Sequence, residues 1–186
     1  MSRAGLKLEE AIAWCGHGPE KGDLVADLGA APGGWTQVSL RRGATVIAVD
    51  LARLEVEAPP KRLAHLAVNA FQYAPPETLD WVLCDMAYRP LEVAKLLAKW
   101  ARRSWARQMI ANIKLPMKKK HEMVSSVLSI LREGGWTGLR ARQLMYDRDE
   151  VTIFGWLSPG QAHLPAKEPF RLRSRTKKKP STKRRR

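Results

Sequence analysis

The sequence predicts an α/β fold, a seven-stranded and mostly parallel sheet whose last strand is antiparallel. Three observations predict it. Short apolar runs alternate with segments of helical periodicity, the pattern of parallel strands joined by crossover helices. The first apolar run opens into a glycine-rich turn, Asp27-Leu28-Gly29-Ala30-Ala31-Pro32-Gly33-Gly34-Trp35, at the strand-to-helix position where open α/β sheets bind ligands. The last two runs are joined by a tight acidic turn, Asp147-Arg148-Asp149, which suits an antiparallel pair. A chain of 186 residues, 45% of them hydrophobic, can bury one core of this kind, assigned here to residues 1–160.

The elements follow in order. Leu8, Ala11, Ile12 and Cys15 recur at helical spacing, so residues 4–16 form an N-terminal amphipathic helix ended by Gly16 and Gly18. Strand one covers 23–28. Its helix starts near Gly33 and stops before Gly43, and strand two covers 44–49. A connection through Pro59-Pro60 leads to a third strand at His65-Leu66-Ala67-Val68. Trp81 to Asp85 is a buried strand ending in a carboxylate, and Pro90 opens a helix whose apolar face is Leu91, Ala94, Leu97, Ala98 and Ala101. Gln108 to Lys114 is the fifth strand, stopped by Pro116. A helix carrying Val124, Val127, Leu128 and Leu131 ends at Gly134-Gly135, and the last two strands occupy 137–146 and 150–157. There is no internal repeat.

The ligand of the glycine-rich turn can be narrowed. A nucleoside-triphosphate loop ends in Gly-Lys-Ser/Thr, whereas these glycines run into Trp35. Gly29, Gly33 and Gly34 also miss the G-x-G-x-x-G spacing of dinucleotide sites. Asp27 at the start of the turn suits ammonium or hydroxyl groups better than a pyrophosphate. Asp50 closes strand two where it would reach a ribose. Together they point to a nucleoside with a cationic tail.

Strand direction gathers three ionisable residues. Asp85 and Lys114 end parallel strands, so both emerge at the carboxyl edge of the sheet, beside the glycine-rich turn. Glu150 begins a strand running the other way, so its start lies on the same edge. Lys7 belongs to the first helix, and pattern alone does not say where it points. Apolar flanks at Ile113 and Leu115 favour a neutral Lys114, and a neighbouring Asp85 favours the charged form. Bland roles stand beside the active one: Lys114 snorkelling to solvent, Asp85 capping a helix, Glu150 as a turn carboxylate.

Charge is the unusual bulk property. The formal net is +15, and residues 171–186 hold ten Lys or Arg and no acid, leaving +5 for the rest. This stretch, Arg171, Arg173, Arg175, Lys177, Lys178, Lys179, Lys183, Arg184, Arg185 and Arg186, lies in a 161–186 tail with little to bury, expected to be disordered and to bind polyphosphate. Cys15 and Cys84 lack metal-ligand spacing and read as buried thiols of a reducing compartment, so no metal site is expected. No secretory segment opens the chain and no run is long enough to cross a membrane, which makes a cytoplasmic protein without membrane partners the expectation.

The turn from Asp27 to Trp35, the position of Asp50, Cys84-Asp85-Met86, Asn112 through Lys119, and Tyr146 through Thr152 together resemble the FtsJ-like ribose 2′-O-methyltransferases. Within that family the chain is most similar to the catalytic domain of the RlmM-type branch, which methylates a cytidine ribose in large-subunit ribosomal RNA. The opening Ser2-Arg3-Ala4-Gly5-Leu6-Lys7-Leu8 is also similar to that of hemolysin-type ribosomal RNA methyltransferases. The resemblance implies a Rossmann-like S-adenosylmethionine-dependent methyltransferase fold. It implies S-adenosylmethionine against Asp27, Gly29, Ala30, Pro32, Gly33, Gly34, Trp35, Asp50, Asn69 and Asp85, and a catalytic tetrad of Lys7, Asp85, Lys114 and Glu150 with Lys114 as general base. Where the family usually carries an acidic residue for the adenine amino group, this chain has Asn69, whose amide oxygen can also accept. RlmM-type enzymes place an RNA-binding half ahead of the catalytic domain, and this chain opens at the catalytic part. Arg89, Lys118, Lys119, Lys120 and the basic tail are therefore expected to supply RNA affinity, with room for an accessory RNA-recognition protein. Two alternatives stay open: a non-catalytic ribosome-binding module with this fold, and a methyltransferase on a non-RNA substrate.

Overall fold

A computed structural model describes residues 2–59 and 61–158. The expected tail, residues 161–186 with its basic stretch Arg171 to Arg186, and Pro60 lie outside the described residues. Seven strands form one sheet in the order β3-β2-β1-β4-β5-β7-β6. In chain order the elements are α1 (Arg3–Cys15), β1 (Leu24–Leu28), α2 (Gly34–Arg41), β2 (Thr45–Val49), β3 (Leu63–Leu66), β4 (Leu79–Cys84), α3 (Pro90–Arg102), β5 (Ala106–Lys114), α4 (Lys120–Gly134), β6 (Thr137–Arg142) and β7 (Glu150–Trp156). Only β7 opposes the others, pairing antiparallel with β5 on one side and β6 on the other. The expected seven-stranded, mostly parallel sheet with an antiparallel last strand is the one observed.

Strand parity sorts the side chains into two cores. Ala26, Val82, Met109, Ala111, Ile113 and Ile153 face α3 and α4, while Val25, Trp81, Leu83, Ile110 and Phe154 face α1 and α2. Residues two apart share a face. Asn112 and Lys114 therefore follow Ile110 onto the α1 side, and Glu150 and Thr152 follow Phe154 there. α1 begins with Ser2 as its cap, accepting from the Gly5 amide at 3.1 Å, and buries Lys7 together with Leu8, Ala11, Ile12 and Cys15. Its N-terminal turn crosses α2 closely enough that a Cβ on Gly34 would stand 2.8 Å from the Ala4 Cβ and 2.6 Å from the Ser2 hydroxyl. Gly34 thus serves helix packing.

Four strands have boundaries that differ from expectation. The third strand occupies Leu63–Leu66 because the parallel ladder with β2 runs from Val46–Leu63 to Val49–Leu66, and the chain turns at Val68, whose amide returns to the Leu66 carbonyl. β4 and β5 begin two residues earlier than read, at Leu79 and Ala106, which pair with each other. β6 stops at Arg142: Leu144 leaves the ladder to bond Asp147, so residues 143–149 form a longer loop than the turn expected. Cys15 and Cys84 are free and buried, no helix among the described residues is long and apolar enough to cross a membrane, and no metal-binding cluster occurs among them.

Candidate active site

The glycine-rich turn is fastened to the end of β2. The amides of Gly29 and Ala30 both reach the Val49 carbonyl, at 3.0 and 3.5 Å, and that of Ala31 donates to Asp50 Oδ2 at 3.0 Å. Asp50 takes the Ala52 amide on its other oxygen at 2.8 Å. A carboxylate has about four lone-pair sites, so acceptor capacity is left for hydroxyl groups. Gly29 sits at φ +75°, and a Cβ there would stand 2.6 Å from Met86 Cγ. The missing side chain lets the turn pass against the β4 loop.

Beside the turn lie two joined hollows. The first, about 190 Å³, is an apolar slot with Val68, Ala70, Phe71, Met86 and Tyr88 around it and Asp50 and Asn69 at its polar rim. The second, about 260 Å³, shares Gly29, Asp50, Met86 and Tyr88 and ends at Asp85. The groove runs from an aromatic slot (Phe71 and Tyr88 centroids 5.0 Å apart) to the carboxylate at the end of β4. Asn69 uses its side-chain oxygen to cap its own loop, accepting from the Phe71 amide at 2.9 Å.

At that end stand the ionisable residues. Lys114 and Glu150 are register partners across β5 and β7, and their side chains form an ion pair. Lys114 Nζ also donates to Asp85 Oδ1 at 3.1 Å. Lys7 descends from α1, pairs with Glu150 Oε2 and lies 3.8 Å from Asp85 Oδ2. The four residues anticipated as a tetrad thus form one connected cluster of two amines and two carboxylates. A fifth belongs with them: buried Asn112 donates to Glu150 Oε2 at 2.6 Å. The sequence carried a sign of it, since a polar side chain two residues before Lys114 shares its face, but a lone amide in an apolar strand did not stand out.

The electrostatics follow from this packing. Burial pushes the Lys114 pKa down, but the hydrogen bond to Glu150 and the charge of Asp85 outweigh burial and leave it above the ordinary lysine value. The charge state left open by the sequence is decided by the carboxylates. Burial raises Asp85 more than the two lysines lower it, while Glu150, bonded by both amines, ends below the ordinary glutamate value despite its own desolvation. Asp27 is fully enclosed and raised to about 7, chiefly by burial, with Thr36 donating to Oδ2 at 2.6 Å and Oδ1 left without a partner.

The remaining anticipated residues separate. Trp35 is buried in the core under α1 and α2 and does not line the groove, and Ala30 is likewise enclosed. Pro32, Gly33 and Gly34 line a different hollow, with Ser2, Gln37 and Val56. Arg89, Lys118 and Lys119 are exposed on the carboxyl edge, and Lys120 pairs with Asp149 at 2.5 Å.

The sequence profile described as FtsJ-like methyltransferase matches residues 1–135. Ribosomal RNA large subunit methyltransferase M of Marinomonas sp. (strain MWYL1) is 41% identical over 82% of this chain and 47% of its own length, and that of Laribacter hongkongensis (strain HLHK9) is 41% identical over the same shares. The chain spans about half the length of these curated relatives. Among solved structures, a putative hemolysin from Lactococcus lactis superposes with TM-score 0.69 at 20% identity over 89% of this chain and 91% of that one. A putative ribosomal RNA methyltransferase from Plasmodium falciparum gives 0.62 at 16% identity over 84% and 97%. These two likenesses concern the fold. The extent of the profile match and the identity to the curated relatives place this chain in the FtsJ-like methyltransferase family.

Proposed function

We propose that this protein is an S-adenosylmethionine-dependent ribose 2′-O-methyltransferase acting on ribosomal RNA in the cytoplasm, with Lys114 as general base. One observation carries the proposal: the cluster of Lys7, Asp85, Lys114 and Glu150 stands at the end of the groove that starts in an aromatic slot. The groove fits the cofactor in chemistry, with an apolar slot for a flat base, Asp50 for ribose hydroxyls and Asp85 near where a positive charge would lie. S-adenosylmethionine, when bound, would supply a methyl group on a positively charged sulfur, and the carbon–sulfur bond broken in the transfer would leave its electron pair on that sulfur as a neutral thioether.

The chain's own part concerns a proton. The ribose O–H bond breaks as the new oxygen–carbon bond forms, and the Lys114 amine takes that proton. Asp85 and Glu150 hold the amine in place, while Lys7 and Asn112 hold Glu150. General-base help is worth about 10²–10⁴-fold, with alignment of the reactants supplying much of the remainder. Lys114 acts only as the free amine, and its pKa is raised. Below that pKa the free-amine fraction grows about tenfold with each pH unit, so turnover climbs from about pH 6.5 to about 9 with unit slope in the logarithm. A rate flat across that interval would show that chemistry does not wait on this proton.

The function is tested by mass-spectrometric mapping of ribose methylation in ribosomal RNA from cells with and without the gene. One 2′-O-methyl mark is expected to vanish without it and to return with the wild-type gene but not with Lys114→Ala. Identical maps would refute the reading.

A further inference from the structure

The large apolar side chains exposed among the described residues are not scattered. Leu51, Val68, Tyr88, Met117, Met145 and Tyr146 all stand in loops that follow β2, β3, β4, β5 and β6, and Trp156 alone lies elsewhere. These loops leave the same edge of the sheet, the edge that holds the tetrad. Leu51, Val68 and Tyr88 belong to the slot beside the glycine-rich turn, which leaves Met117, Met145 and Tyr146 exposed on that edge outside the groove, where apolar groups beside a site mark a contact surface.

The most carefully built of these loops is 143–149. Met145 and Tyr146 are 84% and 37% exposed, yet their amides both donate to the Glu10 carboxylate, at 2.7 and 3.0 Å. Below them buried Asp147 accepts from the Leu144 amide and the Thr152 hydroxyl, both at 3.0 Å. Nothing in this bonding requires an apolar side chain at 145 or 146, because it uses backbone amides. Glu10 stands three residues along α1 from Lys7, about 4.5 Å of helical rise, and Tyr146 is four residues before Glu150. A fixed aromatic is therefore presented beside the reacting edge. Exposed Arg142 and Arg148 flank it, with Lys118, Lys119 and Arg89 in other loops of that edge.

We propose that Tyr146, supported by Met145, is the platform on which an unpaired base of the substrate stacks, which makes the substrate class single-stranded or looped-out RNA and not continuous duplex. The inference rests on the methyltransferase reading above. An aromatic ring takes a base only when both faces of that base are not already stacked and paired in a helix. The flanking cations serve phosphates without regard to strandedness, so discrimination falls to the ring.

The test uses the full chain without cofactor and a fluorescein-labelled RNA of about twelve nucleotides and mixed sequence, free or annealed to its complement, followed by anisotropy. Wild type is expected to favour the single strand. Tyr146→Ala should weaken the single strand about tenfold and leave duplex binding unchanged, while Tyr146→Phe keeps the preference, since stacking needs the ring and not the hydroxyl. Lys118→Ala should weaken both probes alike and flatten their salt dependence. Equal weakening of both probes by Tyr146→Ala, no weakening of either, or no wild-type preference for the single strand would overturn the platform. Calorimetry with S-adenosylmethionine separates the two proposals: a wild type that discriminates strands but binds no cofactor refutes the enzymatic reading alone, and one that methylates RNA while Tyr146→Ala changes nothing refutes the platform alone.

Discussion

Lys114→Ala is expected to lower kcat by about 10²–10⁴-fold and to leave the affinity for S-adenosylmethionine unchanged. The groove residues Asp50, Val68, Phe71, Met86 and Tyr88 do not include Lys114, so removing its amine takes nothing from the slot. Lys114→Arg separates base from counter-ion. A guanidinium keeps the positive charge facing Asp85 and Glu150 but does not deprotonate at accessible pH, so the arginine variant should be as inactive as the alanine one. Single-turnover methylation of ribosomal RNA, with cofactor binding measured in parallel, checks both. An arginine variant near the wild-type rate would mean that position 114 contributes charge alone and that another group takes the proton.

Glu150→Ala has the second large effect, and it falls on stability as well as rate. Glu150 gathers Lys7, Lys114 and Asn112 on two oxygens, with only 11% of its side chain exposed. Deleting one partner of a buried ion pair costs about 3–5 kcal/mol because the charges left behind lose their compensation. For a chain of this length that is a fall in Tm on the order of 10 °C. The amine of Lys114 would also be released from the partner that raises its pKa most, so Glu150→Gln, which keeps the shape and removes the charge, should move the pH–rate profile toward lower pH with a smaller loss of stability. Thermal unfolding of both variants, with a pH series on the glutamine variant, reads the two contributions separately. A glutamine profile superposed on wild type would break the link between Glu150 and the proton of Lys114.

Much of the site could be read before any coordinates because strand direction and parity are written in the sequence. Asp85, Lys114 and Glu150 were placed on one edge by the directions of three strands alone, and their contacts follow from that. Lys7 was different. A helix pattern shows which face is apolar but not the angle at which α1 lies over the sheet, and that angle depends on the close crossing at Gly34, a contact between residues far apart in the chain. Trp35 is a related case: the family resemblance implied a ligand contact there, while the direction of α2 turns the side chain into the core. Hairpin chemistry foretold that β6 and β7 pair. It carried no information on whether the pair adds to the sheet through β6 or through β7, since that choice is made by long-range matching of β7 to β5.

That choice has a bearing on how the protein comes off the ribosome. The strand that completes the charged cluster is also the last of the described strands in chain order, and it wedges between two strands synthesised earlier. A nascent chain halted short of position 150 leaves β5 with a bare rim of amides and carbonyls along its full length, open to pairing with neighbouring chains. Premature termination there is expected to yield a sticky polypeptide, visible as aggregation of a chain truncated before position 150.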